Sequence, residues 1–482
     1  MGERRAYPIG LIIALCLAES TVTFETSMIF AAMPKLIKSF GDPFLAGQLV
    51  AIHPLIAAAT APLTGRLGDI KGRKRVMLIL LALALIGSII SAVSSNFTVV
   101  LIGRAMQGLS VTVMSLAVGV LRESMTEKTV PMGVGFMTTA QGLGSVAGLV
   151  LGGAIVDHFN WHWLFAASAV LIGAAFVAVW IYVPRVPPKG DHAPIDWVEA
   201  LLPIPGISGV LLAIGLMKSY SILSPQVLGA AAFAAVILTL WARRALRARQ
   251  PFVDLKLFRQ RDFAVAAGSL ILLGMGTMNI VYITSTYVQS PTWTGVGLGL
   301  TAVAAGFAKV PSHFLTVTAG PLTSWLAQRF GHRNPFIAAC LLSTGGWLYA
   351  LTLPNQLVQI VILLCIVSYG TTMLMTANTN IVVDCVPEER TSEAIGTMSV
   401  VRSFGLALGG QLIAISLSTH TVKGPGGGAS FPTAASFELT MGWIAATSLL
   451  AGVIGLFLHA GQRRPVTSPV AASAQAEGEA VV

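Results

Sequence analysis

The sequence has few charged residues for its length. Asp, Glu, Lys and Arg together make up 10% of the 482 residues, whereas apolar residues make up 55%. A soluble domain of this size would need more polar surface than these residues supply, because its unbroken apolar runs would stay exposed to water. The composition therefore excludes a soluble protein and predicts a membrane protein.

The sequence also lacks the motifs of common enzyme classes. It contains no HExxH zinc motif, no phosphate-binding Gly-Lys-Ser/Thr loop and no GxSxG nucleophile turn. The cysteines lie singly in or beside apolar runs, so no pair has metal or redox spacing. They are Cys16, Cys340, Cys365 and Cys385. We therefore expect no enzyme, no metal site and no cofactor.

Apolar stretches of about 18 to 25 residues recur along the chain and are long enough to cross a bilayer as helices. Helix is the required form, because backbone polar groups in lipid must be satisfied within the segment and the alternation of a membrane barrel is absent. The first stretch carries Glu19 and Glu25 and is too long for a cleaved signal peptide. About fourteen spans are predicted, at residues 9–33, 46–66, 76–95, 97–120, 131–156, 161–183, 195–217, 224–243, 263–288, 296–323, 334–353, 356–379, 391–417 and 438–460.

A strongly basic turn, GRLGDIKGRKR at residues 65–75, separates the second span from the third. Its glycines, including Gly65 and Gly72, allow a tight backbone reversal. The carboxylate of Asp69 can hydrogen-bond helix-end amides or an arginine such as Arg73. A solvated loop whose charges only enforce topology is the alternative interpretation.

The distribution of basic residues predicts the orientation. With a cytoplasmic N-terminus, most of the 30 Lys and Arg residues fall in cytoplasmic loops. The basic residues in loops on the other side are Lys35, Lys38, Lys218 and Lys423. The net charge of +10 is then a consequence of topology, and no nucleic acid partner is implied. We expect a multi-pass protein of the cell membrane that contacts lipids, has both termini in the cytoplasm and needs no obligate protein partner.

Three motifs carry a family resemblance. The pattern G-x-L-G-D-x-x-G-R-K in the basic turn resembles the signature loop of the major facilitator superfamily. In that family the acid and the following arginine take part in a charge relay that latches one conformation, which implies this role for Asp69 and Arg73. FETSMIFAAMP at 24–34 resembles a first-helix motif of the fourteen-span drug:proton antiporter branch, with Glu25 in the Asp position. RAMQG, starting at Arg104, resembles the family's R-x-x-Q-G motif.

The resemblance implies an all-α membrane fold of two pseudo-symmetric six-helix bundles that rock about a central site, here with two extra central helices. The expected division is a first bundle at 1–184, inserted helices with a basic linker at 185–259, a second bundle at 260–462 and a disordered tail at 463–482.

A weak internal repeat supports the two bundles. Aligning Gly331 with Gly72 places residues 324–333 on the basic turn, where Gln328 replaces Asp69. The second copy has lost the acid, so we expect the latch chemistry in the first half only.

Charged side chains inside the spans are further functional candidates, because each costs about 2.5 to 3.5 kcal/mol to insert. A carboxylate in apolar surroundings, such as that of Glu25, could cycle between its protonated and charged forms near neutral pH. Neutralisation by a buried cation is the alternative. Arg104 could bias a neighbouring acid or organise water. Glu25 and Arg104 are therefore the predicted proton-coupling residues, with the proton as coupling ion.

Lys309 and His313 lie four residues apart, hence on one face of the tenth span. Lys309 could pair with Glu25 or Glu19, or Lys309 and His313 could bind an anionic group of a substrate. Polar residues that only bridge helices would give the same pattern. The predicted substrate cavity consists of Glu19, His53, Asn279, Tyr282, Lys309 and His313.

The fifth span contains GLGSVAGLVLGG at 142–153, whose glycines at 144, 148 and 152 permit close helix contact. It resembles the antiporter motif of the superfamily's exporters, although Leu149 stands where that motif has proline. The resemblance as a whole implies a secondary active transporter of small amphipathic molecules, with proton-coupled efflux as the favoured function. Proton-coupled uptake of an organic anion is the alternative, which Lys309 and His313 favour.

Overall fold

A computed structural model describes residues 9–126, 129–186, 196–248, 251, 253–386, 391–424 and 429–459. Helices dominate these residues, and their only sheet is a hairpin of two three-residue strands. The predicted all-α fold class is confirmed. The predicted tail at 463–482 lies outside the described residues.

The first half of the chain forms eight helices. A 3-10 turn at Leu109–Thr112 joins the fifth and sixth of them into one span. The helices are α1 (Ile9–Ala31), α2 (Met33–Phe40), α3 (Pro43–Lys71), α4 (Arg73–Val93), α5 (Phe97–Gly108), α6 (Val113–Ser124), α7 (Val130–His158) and α8 (His162–Tyr182).

Three inserted helices follow, α9 (Trp197–Leu201), α10 (Pro203–Leu216) and α11 (Pro225–Arg247). The second half contains α12 (Arg261–Met275), α13 (Ile280–Gln289), α14 (Ala302–Thr316), α15 (Ala319–Phe330), α16 (Arg333–Ala350), α17 (Leu357–Asp384), α18 (Thr391–Thr419) and α19 (Ala434–Gly455). The strands are β1 (Thr421–Lys423) and β2 (Ser430–Pro432), and further 3-10 turns lie at Leu255–Arg259, Thr277–Asn279 and Thr292–Thr294.

Within the described residues, twelve helical segments are long and apolar enough to cross a membrane. A multi-pass membrane protein is therefore confirmed, but the predicted number of about fourteen spans is not. The predicted spans at 296–323 and 334–353 correspond to shorter helices, α14 with α15 and α16. The helix breaks after Thr316, where the hydroxyls of Thr316 and Thr318 hydrogen-bond nearby carbonyl groups of their own turn. Such bonds offer the backbone an alternative to continuing the helix.

The two ends of the helix bundle differ. The basic turn between α3 and α4 lies at one end, here called the basic end. Strands β1 and β2 pair at the opposite end, here called the hairpin end, in the register Thr421↔Pro432. The sequence predicted no strand in this stretch, so the pairing of 421–423 with 430–432 is an addition to the all-α fold. Residues 425–428 lie outside the described part.

The inserted helices are tied together and to the first half by ion pairs. Arg244 donates to Asp196 over 2.7 Å, which joins the end of α11 to the start of α9. Lys218 pairs with Asp42 at the hairpin end. The span predicted at 224–243 ends later than expected, because α11 continues to Arg247.

The two halves meet along two helix pairs, α3 with α18 and α7 with α14. Close approach of α7 and α14 depends on glycine. A Cβ atom on Gly153 would lie 2.6 Å from the carbonyl carbon of Ala302, and one on Gly306 would lie 2.8 Å from the carbonyl oxygen of Leu149. The division at residues 184 and 259 stays a prediction.

An acid from the first half also caps a helix of the second half. The carboxylate oxygens of Asp157, near the end of α7, accept hydrogen bonds from the backbone N–H groups of Ala302 and Val303, each at 3.0 Å. A carboxylate at a helix N-terminus satisfies unpaired N–H groups and interacts favourably with the helix dipole. This contact holds the two halves together at the hairpin end.

We predict that Gly153→Ala destabilises the protein, because the added methyl group would push α14 away from α7. Overpacking of this kind costs about 1 to 3 kcal/mol. The expected result is a lower midpoint of thermal unfolding for the detergent-purified variant. Gly142→Ala is the matched control, since a Cβ there has no heavy atom within 4 Å. Equal midpoints for the two variants would contradict the account of this contact.

Candidate functional site

The predicted latch residues meet at the turn between α3 and α4. Gly72 has a positive φ of 89°, a conformation that side chains other than glycine rarely adopt. Arg73 then binds two carboxylates, with Nη2 2.9 Å from Asp69 Oδ1 and Nη1 3.1 Å from Glu123 Oε1. In contrast, a Cβ on Gly65 would contact nothing within 4 Å, so packing does not require glycine there.

Glu123 at the end of α6 is a partner that the sequence analysis missed. A Cβ on Gly119 would lie 2.4 Å from the guanidinium carbon of Arg73, so that glycine makes room for the arginine to cross α6. These contacts stay within the first half. They fasten the turn to α6, and the role of Asp69 and Arg73 as a conformational latch remains a prediction.

The second half keeps part of this arrangement: Gln328 stands where the first half has Asp69, as predicted, but another acid reaches the turn. Gly331 has a φ of 78°, as the repeat with Gly72 requires. His332 Nε2 lies 2.6 Å from Asp384 Oδ2 at the end of α17. The repeat had placed Gln328 opposite Asp69 and therefore overlooked an acid that arrives from another helix.

The carboxylate of Glu25 is fully buried in the first half. Its Oε1 accepts from Ser168 Oγ at 3.1 Å and from Ser88 Oγ at 3.4 Å, and its Oε2 accepts from Ser110 Oγ at 2.9 Å. These serines come from α4, the 3-10 turn and α8. In the sequence these residues are single serines within apolar runs, which did not mark them as partners of Glu25.

Arg104 lies beside Glu25 but donates to its backbone carbonyl and not to its carboxylate. Nη1 donates to the Glu25 carbonyl at 3.2 Å and to Gln107 Oε1 at 2.9 Å, while Nε donates to the Leu49 carbonyl at 3.2 Å. Gln107 Nε2 in turn donates to Ser88 Oγ at 2.7 Å. The structure thus brings Glu25 and Arg104 together in one buried hydrogen-bonded network, here called the Glu25 network.

Glu19 and His53 are buried but lie outside that network. Glu19 Oε2 accepts from Gln141 Nε2 at 2.9 Å, which links α1 to α7. Glu19 Oε1 and His53 Nε2 have no hydrogen-bond partner in the part of the chain that the structure describes. Both atoms could therefore serve a ligand or a water molecule.

Asn279 and Tyr282 make contacts that stabilise the fold. Asn279 Nδ2 donates to the Gly274 carbonyl at 2.8 Å, which bridges the break between α12 and α13. Tyr282 is buried and stacks on Phe30 of the first half, with ring centroids 6.0 Å apart. Asn279 thus lies where a span changes direction, and Tyr282 lies where the two halves meet.

Lys309 and His313 share a face of α14, as predicted from their spacing. Lys309 Nζ donates to Ser368 Oγ on α17. His313 Nε2 has no hydrogen-bond partner among the described residues. The suggested ion pair of Lys309 with Glu25 or Glu19 is not formed, because those acids are held by serines and by Gln141. Within the described residues, no group of His, Cys, Asp and Glu side chains could hold a metal ion.

Comparison with known proteins gives a consistent result. The Major Facilitator Superfamily profile matches residues 15–410 and 314–479. The uncharacterized MFS-type transporter YvkA of Bacillus subtilis (strain 168) is 23% identical over 441 residues, which cover 88% of this chain and 93% of YvkA. The multidrug transporter protein MdtP of the same organism is 24% identical over 407 residues, covering 83% and 72%.

The fold itself is also shared with solved transporters. The crystal structure of an auto-inhibited POT family peptide transporter matches with a TM-score of 0.67 and 14% identity, covering 94% of this chain and 98% of that chain. At this identity the match concerns the fold alone. Together with the family match over most of the sequence, it shows that this chain is a membrane transporter, not an enzyme, and belongs to the major facilitator superfamily.

Proposed function

We propose that this protein exports small amphipathic molecules in exchange for protons, with Glu25 as the coupling acid. The observation that carries the proposal is a fully buried carboxylate whose oxygens accept from serine hydroxyls and from no cation among the described residues. Arg104 binds the backbone carbonyl of Glu25 and not its carboxylate, so no salt bridge fixes the charged form. A hydroxyl can donate to a carboxylate or accept from a carboxylic acid. The surroundings of Glu25 therefore suit both protonation states.

Ser110 provides a mechanism for switching between these states. Its hydroxyl lies 2.9 Å from Glu25 Oε2 and 2.7 Å from the Gln107 carbonyl, and it has a single proton to donate. When Glu25 is charged, Ser110 donates to it. When Glu25 takes up a proton, Ser110 donates to the Gln107 carbonyl and accepts from Glu25. The network can thus accommodate a proton by rotating a hydroxyl group.

The closed hairpin end supports an alternating-access cycle. If the basic end faces the cytoplasm, as the positive-inside rule predicts, the contact of Asp157 with α14 closes the outer side in this conformation. An entering proton supplies about 2.3 kcal/mol per 100 mV of membrane potential. That free energy drives export only when proton and substrate binding are interdependent. The name of the relative MdtP, a multidrug transporter, agrees with amphipathic substrates.

Proton-coupled uptake of an organic anion is the second candidate. It is favoured by Lys309, a buried cation that donates to a serine and pairs with no carboxylate among the described residues. The direction of transport in a pH gradient separates the two candidates.

We predict that Glu25→Gln abolishes gradient-driven transport, because an amide cannot take up and release the proton. Ethidium flux is measured in proteoliposomes under an imposed pH gradient. The wild type should move the dye in the direction opposite to the proton flow. In Glu25→Gln the dye should move only down its own concentration gradient. Glu438→Gln is the control, since it removes an exposed carboxylate outside the Glu25 network. Driven flux that persists in Glu25→Gln would refute the coupling role, and movement of dye together with protons would indicate uptake.

We also predict that Arg73→Ala slows the transport cycle, because it releases the turn from both Asp69 and Glu123. Partly exposed ion pairs contribute about 0.2 to 1 kcal/mol each, so a several-fold lower initial rate of ethidium flux is expected. Arg73→Lys should restore the rate only in part, since lysine lacks the planar donors that reach two carboxylates. Lys71→Ala removes a neighbouring positive charge and serves as control. An unchanged rate in Arg73→Ala would exclude a role for these bonds in the cycle.

A further inference from the structure

Lys309 is a buried cation with little to neutralise it. Its side chain is 6% exposed, and Nζ makes its one hydrogen bond among the described residues with Ser368. An ammonium group has three N–H donors, so two of them have no protein partner. Buried charges in membrane proteins are costly and ordinarily pair with another charge or line a functional path. The described residues therefore leave Lys309 without a charged partner.

The buried acids of α1 and the acid that caps α14 have other partners. Glu25 is held by serines, Glu19 is bound to Gln141, and Asp157 accepts from two backbone N–H groups in the first turn of α14. Cys365, on α17, and His313 are the titratable groups that interact electrostatically with Lys309, and neither supplies a carboxylate. A neutral hydroxyl and a thiol leave the positive charge of Lys309 largely uncompensated.

The space next to Lys309 is apolar and lies between the two halves. One wall is Leu149 of α7, in the first half, and the others come from α13, α14 and α17 in the second half. The lining includes Leu149, Val281, Val288, Ile360 and Leu364, with Thr284 and Ser285 as polar neighbours. The space is only about 10 Å³ in this conformation, but it spans the contact between the halves and must widen when they move apart. An inorganic ion would gain little from such a lining, whereas an organic molecule would bury apolar surface in the widened space.

His313 adds a second nitrogen one helical turn from Lys309. Its Nε2 is buried and has no hydrogen-bond partner among the described residues. Residues four apart lie on the same helix face, so His313 lies on the side of α14 that carries Lys309. A carboxylate or sulfonate, with several acceptor sites, matches this pair of donors.

We propose that Lys309 and His313 form a subsite for the anionic group of an organic substrate, whose apolar body packs against the lining of α7, α13 and α17. The inference rests on the proposed transport function but does not depend on its direction. Amphipathic anions are then substrates beside cations such as ethidium, and transport of the anions alone depends on this subsite.

The test compares an anionic dye with a cationic dye. Initial fluxes of carboxyfluorescein and ethidium are measured in proteoliposomes containing the wild type, Lys309→Met, Lys309→Arg or Lys38→Met. Met keeps the length and apolar stem of lysine, and Lys38 is an exposed lysine that serves as matched control. We expect Lys309→Met to lower carboxyfluorescein flux about tenfold or more, as loss of a charged hydrogen bond predicts. Ethidium flux should change less than about twofold, Lys309→Arg should keep part of the anion flux, and Lys38→Met should behave as wild type.

Anion binding is measured separately from flux, so that a variant with a slower transport cycle is distinguished from one with a weaker binding site. Fluorescence anisotropy of carboxyfluorescein, titrated with purified protein that elutes as a single peak, should give a Kd about tenfold higher for Lys309→Met than for wild type. The same anion affinity and flux in both proteins would overturn the inference. A wild type that moves ethidium but not carboxyfluorescein would also overturn it while leaving the transport proposal intact. No flux of either dye would contradict the transport proposal, and this inference with it.

Discussion

The first half of the molecule is organised around a carboxylate that has no access to water. Glu25 on α1 receives hydrogen bonds from hydroxyl groups on α4, α8 and the turn between α5 and α6. Each of these elements must stay in place for the carboxylate to remain satisfied, because an unpaired buried charge costs several kcal/mol, roughly half of a typical domain's net stability. Arg104 reinforces the arrangement by binding the backbone of Glu25 and the side chain of Gln107.

Helix α7 connects this network with the second half. It packs against α1 through Gly144 and Gly148, where a Cβ would lie 2.3 Å from the carbonyl oxygen of Ser20 and 2.7 Å from that of Phe24. It packs against α14 through Gly153 and its carboxylate at Asp157. Helix α1, which carries Glu25, and helix α14, which carries Lys309, thus both pack against α7. Movement of α7 relative to α14 is a direct physical route by which protonation could alter substrate binding.

The sequence predicts those features whose insertion into the membrane costs much free energy. Charges in apolar runs, such as Glu25, Arg104 and Lys309, are visible because inserting them is expensive. Their partners are not visible. Serine is common in membrane helices and can bond to its own backbone, so Ser88 and Ser110 carry no distinctive signal.

Other features depend on tertiary contacts that no local pattern specifies. Glu123 and Asp384 reach the two turns from the far ends of other helices, so alignment of the repeat alone could not pair them. The break between α14 and α15 divides a predicted long span, and the pairing of β1 with β2 was not predicted.

Proton release on substrate binding is the most direct test of Glu25 as the coupling acid. Ethidium is added to purified protein in weakly buffered detergent solution near neutral pH, and the change in pH is recorded. The account predicts that the wild type releases protons as it binds the dye, whereas Glu25→Gln binds the dye without release. Equal release from both proteins, or none from a wild type that binds the dye, would contradict it.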